Sequence, residues 1–236
     1  MSLAKLPLIF VAAVGFHISV TAPDAAERDR VVIPSAIERL LTPFSVLVPR
    51  FLKGTIWLVT AAETAVILTR YIPPHHISPG IADVLGKLGT PDASKLTTIS
   101  VLGSLMVVMS SYIRWKCYRT LGRFFTYELS IRDDHKLITS GPYSVVRHPS
   151  YTGLAISFAG ACLTYGAPGS WLRESGILGL PFVSGVAKIW TALMVIVVAC
   201  LAVRIPHEDK LMAQSIGKEW EEWAQRVKYR LIPGIY

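Results

Sequence analysis

The sequence predicts an all-α fold, a polytopic membrane bundle of about five helices. Of its 236 residues 52% are hydrophobic, and the mean hydropathy of +0.45 is higher than that of an ordinary soluble domain. Long apolar runs alternate with stretches that are rich in Lys and Arg. These observations indicate an integral membrane protein.

Five apolar runs are the candidate membrane spans: residues 6–20, 54–71, 96–113, 151–165 and 185–203. As a helix the last run would be about 28 Å long, which is enough to cross the hydrocarbon core. The fourth run would be only about 22 Å long. We therefore expect part of the segment 166–184, which holds four glycines and two prolines, to complete that crossing as a re-entrant or bent half-helix.

The positive charges predict an orientation. Eighteen of the 24 Lys and Arg residues lie in three stretches, 21–53, 114–147 and 204–236. Five spans place all three stretches on one side of the membrane, which should be the cytosol because cytosolic loops carry the excess of Lys and Arg. The N-terminus and the loop 72–95 then lie opposite. The net charge of +8 reflects this topology and attraction to anionic lipid, and no groove-reading motif indicates nucleic-acid binding.

The first twenty residues also fit a cleaved signal peptide, with Lys5 as the charged region and residues 6–20 as the apolar core. Two observations disfavour this alternative. Pro23 follows directly on the best small-residue cleavage site, and cleavage would leave the basic stretch 21–53 on the wrong side of the membrane.

The three cysteines, Cys117, Cys162 and Cys200, show no paired spacing. The sequence therefore implies no metal site and no disulfide framework. It also contains no internal repeat. We expect one structural domain, in which residues 1–120 form the N-terminal membrane helices and residues 121–236 form the functional core.

Ionisable residues are few inside the candidate spans, and His17 and Glu63 stand out among them. An ionisable group within a span is a functional hypothesis by default. The alternative is structural: Glu63 is neutral or paired within the bundle, and His17 lies close to the end of its span.

The loop 141–153 combines turn formers with two tyrosines, Arg147 and His148. Pro149 suits the first position of a helix, where its missing N–H costs nothing. The free N–H groups of that helix, together with Arg147 and His148, are predicted to hold an anion such as the carboxylate of a small ligand. The alternative is a basic membrane-surface loop with interfacial tyrosines.

A second polar cluster begins where the last span ends. Arg204 and Glu208 have the spacing of four that places them on one helix face, although Pro206 predicts a kink in a new segment. The alternative is an ordinary positive end of a membrane helix. An apolar stripe at near-helical spacing follows, and it predicts a helix on the protein or bilayer surface: Leu211, Ile216, Trp220, Trp223 and Val227.

The order of these pieces resembles the protein-S-isoprenylcysteine O-methyltransferases. A basic stretch ending at residues 135–138 precedes the loop 141–153, a membrane hairpin, Arg204 with Glu208, and an aromatic tail ending at residues 230–233. The similarity covers about residues 121–235, which would be the methyltransferase core. The first hundred residues match only as a set of membrane helices.

The resemblance implies S-adenosylmethionine as methyl donor and, as substrate, the prenylated C-terminal cysteine left after CaaX proteolysis. It also implies the endoplasmic reticulum membrane, with the cofactor site facing the cytosol. Arg204 matches the arginine assigned to the substrate carboxylate, and Asp209 replaces the usual second glutamate. Glu128 stands where other members can have glutamine, also a cofactor contact. The other cofactor contacts carried over are His135, Lys136, Leu137, Ile138, Tyr143, His148, Pro149, Ser150, Tyr151 and Glu208.

Three rival functions remain open at this point. A membrane phospholipid N-methyltransferase would share the cofactor but would present an amine, for which the anion-binding Arg204 is less suited. A sterol reductase would use a nicotinamide cofactor and more than five membrane helices. A non-catalytic scaffold or receptor would need no cluster of cofactor-type residues on one face.

Overall fold

The computed structural model describes residues 3–21, 36–69, 71–87, 94–125 and 136–236. Within these ranges every regular element is helical: α1 Lys5–Ser19, α2 Ala36–Thr69, α3 Pro79–Lys87, α4 Thr98–Leu121, α5 Pro149–Gly166, α6 Trp171–Glu174, α7 Pro181–Ile216 and α8 Lys218–Arg226. Short 3₁₀ turns lie at Pro74–His76, Gly122–Phe124, Gly141–Ser144 and Ile177–Gly179. The all-α prediction is confirmed.

Each predicted apolar run coincides with a helix over most of its length. In the described part of the chain, three segments are long and apolar enough to cross a membrane, namely Val46–Thr69, Thr98–Phe124 and Pro181–Ile216. α1 is a shorter apolar helix of 15 residues, and α5 has 18. The chain is an integral membrane protein, while the count of five crossings stays a prediction.

Contacts at the two ends of the bundle give the helix directions. At one end, the Lys5 ammonium at the start of α1 donates to Ser94 Oγ, just before α4, and to the carbonyl of Gly169, just after α5. At the other end, the hydroxyl of Tyr118 near the end of α4 donates to the carbonyl of Ser19 at the end of α1. α1 and α4 therefore run in the same direction, and α5 runs opposite to both.

α4 and α5 form the tightest packing in the bundle. A Cβ built on Gly103 of α4 would lie 2.7 Å from the carbonyl oxygen of Gly160 on α5. Around this contact a core of buried side chains fills the space between α1, α2, α4 and α5: Phe16, Leu52, Ile56, Val107, Leu154 and Phe158. This pair of helices fixes where α5 begins, and so positions the loop before it.

The structure corrects two details of the sequence prediction. No new segment begins after residue 203, because α7 continues through Pro206 to Ile216. The side chains of Arg204 and Glu208 lie 3.6 Å apart across this turn. The segment 166–184 contains only the four-residue α6 and a three-residue 3₁₀ turn before α7. Between α5 and α7 it is a connection of short helical turns, which does not form the predicted half-helix.

Candidate functional site

The conformation of the loop before α5 follows from the residues of the loop itself. Gly141 has a positive φ of 60°, a conformation that favours glycine, and starts the turn Gly141–Ser144. Pro149 occupies the first turn of α5, as predicted. Tyr143 is buried in a cluster with Cys117 of α4 and Trp223 of α8. This burial raises the pKa of the Tyr143 hydroxyl well above its usual value, and the neighbouring Cys117 thiol adds to the shift.

One carboxylate lies at the centre of the site. Glu208 Oε2 accepts a hydrogen bond of 2.6 Å from the Tyr151 hydroxyl. The same oxygen lies 3.6 Å from Arg204 Nε and 4.0 Å from His148 Nδ1. The rings of His148 and Tyr151 stack with centroids 5.3 Å apart and planes at 16°. The first turn of α5 and the C-terminal part of α7 therefore bring these four residues together.

The neighbouring carboxylate, Asp209, contacts two arginines and a histidine. Its Oδ2 accepts hydrogen bonds from Arg147 Nη1 and Arg230 Nε, both at 3.0 Å. Its Oδ1 lies 3.0 Å from His148 Nε2. Arg147 Nε also donates to the carbonyl of Val227 at 2.9 Å. The sequence predicted that Arg147 would help to hold a ligand anion, but in the structure this guanidinium is bound to Asp209 and to backbone carbonyls.

The C-terminal segment closes against the loop. The backbone N–H of His148 donates to the carbonyl of Arg230 at 2.8 Å, and the Thr152 hydroxyl donates to the carbonyl of Leu231 at 2.7 Å. Trp223 and Val227 from the predicted apolar stripe are buried against Tyr143. The amphipathic helix α8 therefore packs on the protein and forms one wall of the site.

The other residues predicted as cofactor contacts have differing surroundings. Ser150 is buried, and both its hydroxyl and its carbonyl accept hydrogen bonds from Arg114 Nη1, at 2.9 and 2.8 Å. Leu137 packs against the Tyr143 cluster, Ile138 is partly buried, and Lys136 is exposed. The remaining two predicted contacts, Glu128 and His135, lie outside the described residues.

Sequence reasoning assigned no site role to Asp209 or to Arg114. Asp209 was noted only as a replacement for glutamate, and its contact with His148 was invisible because 60 residues separate the two in the chain. Arg114 is only 2% exposed and directly follows the predicted third span. Had that span been extended by one residue, Arg114 would have counted as an intramembrane charge, and such a charge points to a functional or structural role.

Comparison with known proteins supports the resemblance. Residues 102–169 match the isoprenylcysteine carboxyl methyltransferase family, a range that includes the loop and α5 but ends before Arg204. The chain is 32% identical to a probable protein-S-isoprenylcysteine O-methyltransferase of Oryza sativa subsp. indica over 139 residues, 58% of this chain and 63% of the relative. It is 33% identical to protein-S-isoprenylcysteine O-methyltransferase B of Arabidopsis thaliana over 131 residues, 55% and 57% of the two chains.

The human protein-S-isoprenylcysteine O-methyltransferase is 40% identical over 65 residues, which cover 27% of this chain and 23% of the human protein. In all three comparisons the chain spans less than two thirds of the relative's length. The matches confirm the resemblance drawn from the sequence: over residues 102–169 the chain has the sequence pattern of the isoprenylcysteine carboxyl methyltransferase family.

Proposed function

We propose that the protein is an S-adenosylmethionine-dependent protein-S-isoprenylcysteine O-methyltransferase. It methylates the C-terminal α-carboxylate of prenylated cysteine in CaaX-processed proteins. The observation that carries the proposal is the convergence of Arg204, Glu208, His148 and Tyr151 at one end of an apolar bundle. The similarity to enzymes named for this reaction supports it.

The donor set around Glu208 fits the proposed cofactor. S-adenosylmethionine carries a sulfonium and an ammonium, and when bound it supplies an electrophilic methyl group. The Glu208 carboxylate, one quarter exposed, is a suitable acceptor for the positive end of the molecule. The stacked rings of His148 and Tyr151 offer an aromatic face beside it. Lys136, Leu137 and Ile138, which precede the loop, are proposed as further cofactor contacts, and the resemblance adds Glu128 and His135, which lie outside the described residues.

The proposed substrate needs no general base. A free α-carboxyl has a pKa of about 3.3–3.7, so the nucleophile is already ionised at neutral pH. Attack on a methyl group is slowed in water by poor alignment and by hydration of the anion. The protein therefore accelerates the reaction by positioning the two reactants and excluding water.

Arg204 is the residue proposed to hold that carboxylate. Its side chain is only 6% exposed, and a planar guanidinium can bind a carboxylate through two parallel hydrogen bonds. The apolar turns of α7 before it are open on the outside of the bundle, for example Val195 and Val203, which are 63% and 55% exposed. A prenyl chain can lie along this face in the bilayer, where burial contributes about 25 cal/mol per Å².

The proposed setting is the endoplasmic reticulum membrane, with the site facing the cytosol. The site lies at the bundle end where the basic stretches meet, since Arg114, Arg147 and Arg204 all surround it. Cytosolic loops carry this charge excess. The prenylated substrate then enters from the bilayer while the cofactor enters from water.

A methylation assay tests the proposal. The full chain in lipid nanodiscs is incubated with S-adenosylmethionine labelled in its methyl group and with N-acetyl-S-farnesylcysteine. We expect a base-labile methyl ester on this acceptor and no product on the matching amide, which lacks the carboxylate. Base-stable methylation of phosphatidylethanolamine instead would favour the phospholipid N-methyltransferase. Binding of NADPH would favour the reductase, and binding of neither cofactor would favour the scaffold.

A further inference from the structure

The side chain of Asp209 links three parts of the chain. It extends from α7 and is 9% exposed. Through its two oxygens it binds Arg147 and His148, which precede α5, and Arg230 in the C-terminal segment. The sequence alone assigns Asp209 no role in the proposed reaction. In the structure, however, Asp209 contacts His148, and His148 in turn lies beside Glu208.

The two arginines decide which form Asp209 takes. Both guanidiniums donate to Oδ2 at 3.0 Å, and two adjacent positive charges hold the carboxyl ionised. An ionised carboxylate is an acceptor only. The remaining oxygen, Oδ1, can therefore bind His148 Nε2 at 3.0 Å only if that nitrogen carries the proton and donates it.

This contact determines the character of the second ring nitrogen. When a neutral imidazole carries its proton on Nε2, Nδ1 is an acceptor. His148 Nδ1 lies 4.0 Å from Glu208 Oε2, which is too far for a hydrogen bond between the two. Stacking on Tyr151 fixes the plane of the ring. Nδ1 and the Glu208 carboxylate are thus two acceptors facing the same space, an arrangement that suits a cation with several N–H groups.

We infer that Asp209 is a positioning residue, which fixes His148 in the Nε2-protonated tautomer so that Nδ1 and Glu208 together accept hydrogen bonds from the amino group of the methyl donor. This inference rests on the proposed function. Asp209 acts through His148 and touches neither substrate nor cofactor. The competing explanation is that Asp209 only attaches the C-terminal segment to the loop.

The substitution Asp209→Asn separates the two explanations. The amide has nearly the same shape, and its oxygen can still accept from the arginines. Its NH₂ group, however, would donate to His148 Nε2, which drives the ring proton to Nδ1. The attachment of the C-terminal segment is then largely kept while the acceptor in the site becomes a donor. The matched control is Thr152→Val, which removes the hydrogen bond from Thr152 to the carbonyl of Leu231 and leaves Asp209 unchanged.

Calorimetric titration with two probes measures the consequence. S-adenosylhomocysteine contains the amino group, whereas 5′-methylthioadenosine lacks the whole amino-acid part. For Asp209→Asn we expect the affinity for S-adenosylhomocysteine to fall at least tenfold, with the affinity for 5′-methylthioadenosine unchanged within twofold. Thr152→Val should leave both affinities within twofold. An equal loss for both probes, or no loss for either, would overturn the inference.

The tautomer itself is observable without any ligand. In protein with ¹⁵N-labelled histidine, the His148 signals are assigned among the six histidines by their absence in His148→Gln. We expect the wild-type spectrum to show a protonated Nε2 and a bare Nδ1, and Asp209→Asn to reverse this pattern. A protonated Nδ1 in the neutral wild-type ring would overturn the inference even if Asp209→Asn did not fold. If the wild type bound neither probe, the proposed function would fail as well, while the tautomer result would still stand on its own.

Discussion

At the scale of single residues, one oxygen of Glu208 organises the site. Glu208 Oε2 accepts a hydrogen bond from the Tyr151 hydroxyl and lies within 4.0 Å of both Arg204 and His148. Arg204 and Glu208 are therefore coupled before any ligand binds. Substitutions at these two positions will not act additively, because each residue is part of the other's environment.

The first prediction concerns Arg204→Lys. Lysine keeps the charge but loses the planar fork that holds a carboxylate. We expect methyl transfer to N-acetyl-S-farnesylcysteine to fall by about 100-fold, which corresponds to about 2.7 kcal/mol of lost transition-state stabilisation. The affinity for S-adenosylhomocysteine, measured by calorimetry, should change by less than about threefold, or about 0.65 kcal/mol.

The control for Arg204→Lys is Arg226→Lys, the same chemical change at an exposed position on α8. It should alter neither the turnover nor the affinity for S-adenosylhomocysteine. The assignment of Arg204 to the substrate is wrong if Arg204→Lys abolishes cofactor binding but leaves prenylcysteine binding intact.

The sequence could predict a contact between two site residues only where the two lie close together in the chain. Arg204 and Glu208 are four residues apart on one helix, so their proximity follows from helix geometry alone. The contacts of His148 with Asp209 and of Arg114 with Ser150 join separate helices. No spacing rule reaches across such distances, so these contacts required the fold.

At the scale of elements, the position of the site depends on how closely α4 and α5 approach. An ideal Cβ on Gly103 would lie 2.7 Å from the Gly160 oxygen and the Thr164 nitrogen. These are backbone atoms, which cannot rotate out of the way. Both glycines are therefore required by packing, in the manner of small residues at membrane helix interfaces.

The second prediction tests this packing with Gly103→Ala. We expect the substitution to destabilise the protein by about 1–3 kcal/mol, since overpacking forces the two backbones apart. Thermal unfolding in a fixed detergent measures the loss. The matched control is Gly54→Ala on α2, where nothing lies within 4 Å of the new Cβ. That change should be neutral or stabilising by up to about 1 kcal/mol, and equal melting temperatures for both variants would contradict the packing argument.

The third prediction follows from the buried Tyr143 that joins the loop, α4 and α8. Burial raises the pKa of this hydroxyl well above the ordinary value of 10.0. In the unfolded chain Tyr143 ionises near that ordinary value, whereas in the folded protein it stays neutral. The stabilisation is therefore fully present below about pH 10 and is lost as the pH rises further.

Melting temperatures between pH 8 and pH 11 test this dependence. We expect the wild type to lose stability above about pH 10 more steeply than Tyr143→Phe, which has no proton to lose at this position. The other tyrosines titrate alike in both proteins and cancel in the comparison. Parallel curves would show that the Tyr143 hydroxyl does not contribute in this way.

The sequence predicted the helices better than it predicted their ends. Apolar runs identified all five long elements, because burial in lipid or in the bundle requires apolar side chains along the whole helix. The end of α7 was misplaced since Arg204 and Pro206 both resemble a helix stop. In the folded chain α7 nevertheless continues through Pro206, and Arg204, Glu208 and Asp209 lie on this same helix.

At the scale of the whole molecule, a buried ion pair holds the bundle end opposite the site. Lys5 Nζ on α1 lies 2.6 Å from Glu63 Oε1 on α2, and both side chains are at most 1% exposed. The same Glu63 oxygen accepts from Ser94 Oγ at 2.7 Å and from the backbone N–H of Trp171 at 3.3 Å. Four separate segments meet here. The position of Glu63 therefore agrees with the structural interpretation, in which this carboxyl group is neutral or paired within the bundle.

The fourth prediction is that removing one partner of this ion pair destabilises the protein more than removing both. Lys5→Met or Glu63→Gln alone should destabilise the protein by about 3–5 kcal/mol, because each leaves a buried polar group without its partner. The double variant should recover much of that loss, since it buries no unpaired charge. Melting temperatures in detergent provide the comparison, with Lys53→Met as control because Lys53 is only partly buried. Additive losses in the double variant would contradict a direct pair.

The number of membrane crossings is a property of the whole molecule. The charge pattern predicts five crossings, whereas helix lengths alone do not decide the number. Three helices satisfy length and hydropathy by themselves. If only these three crossed, α5 would not reverse the direction of the chain, and residues after α7 would lie on the side opposite to the loop before α5. With five crossings both lie on the same side. The contact between Tyr151 at the start of α5 and Glu208 near the end of α7 therefore favours a crossing by α5.

The fifth prediction uses single cysteines to decide whether α5 crosses the membrane. In a background without Cys117, Cys162 and Cys200, exposed serines are replaced one at a time as Ser78→Cys, Ser144→Cys and Ser215→Cys. An impermeant maleimide is then applied to sealed vesicles of known orientation. We expect positions 144 and 215 to react from the cytosolic side and position 78 only after the vesicles are opened. Reaction of 144 and 215 from opposite sides would mean that α5 does not cross, and S-adenosylhomocysteine binding by each variant checks that the bundle is intact.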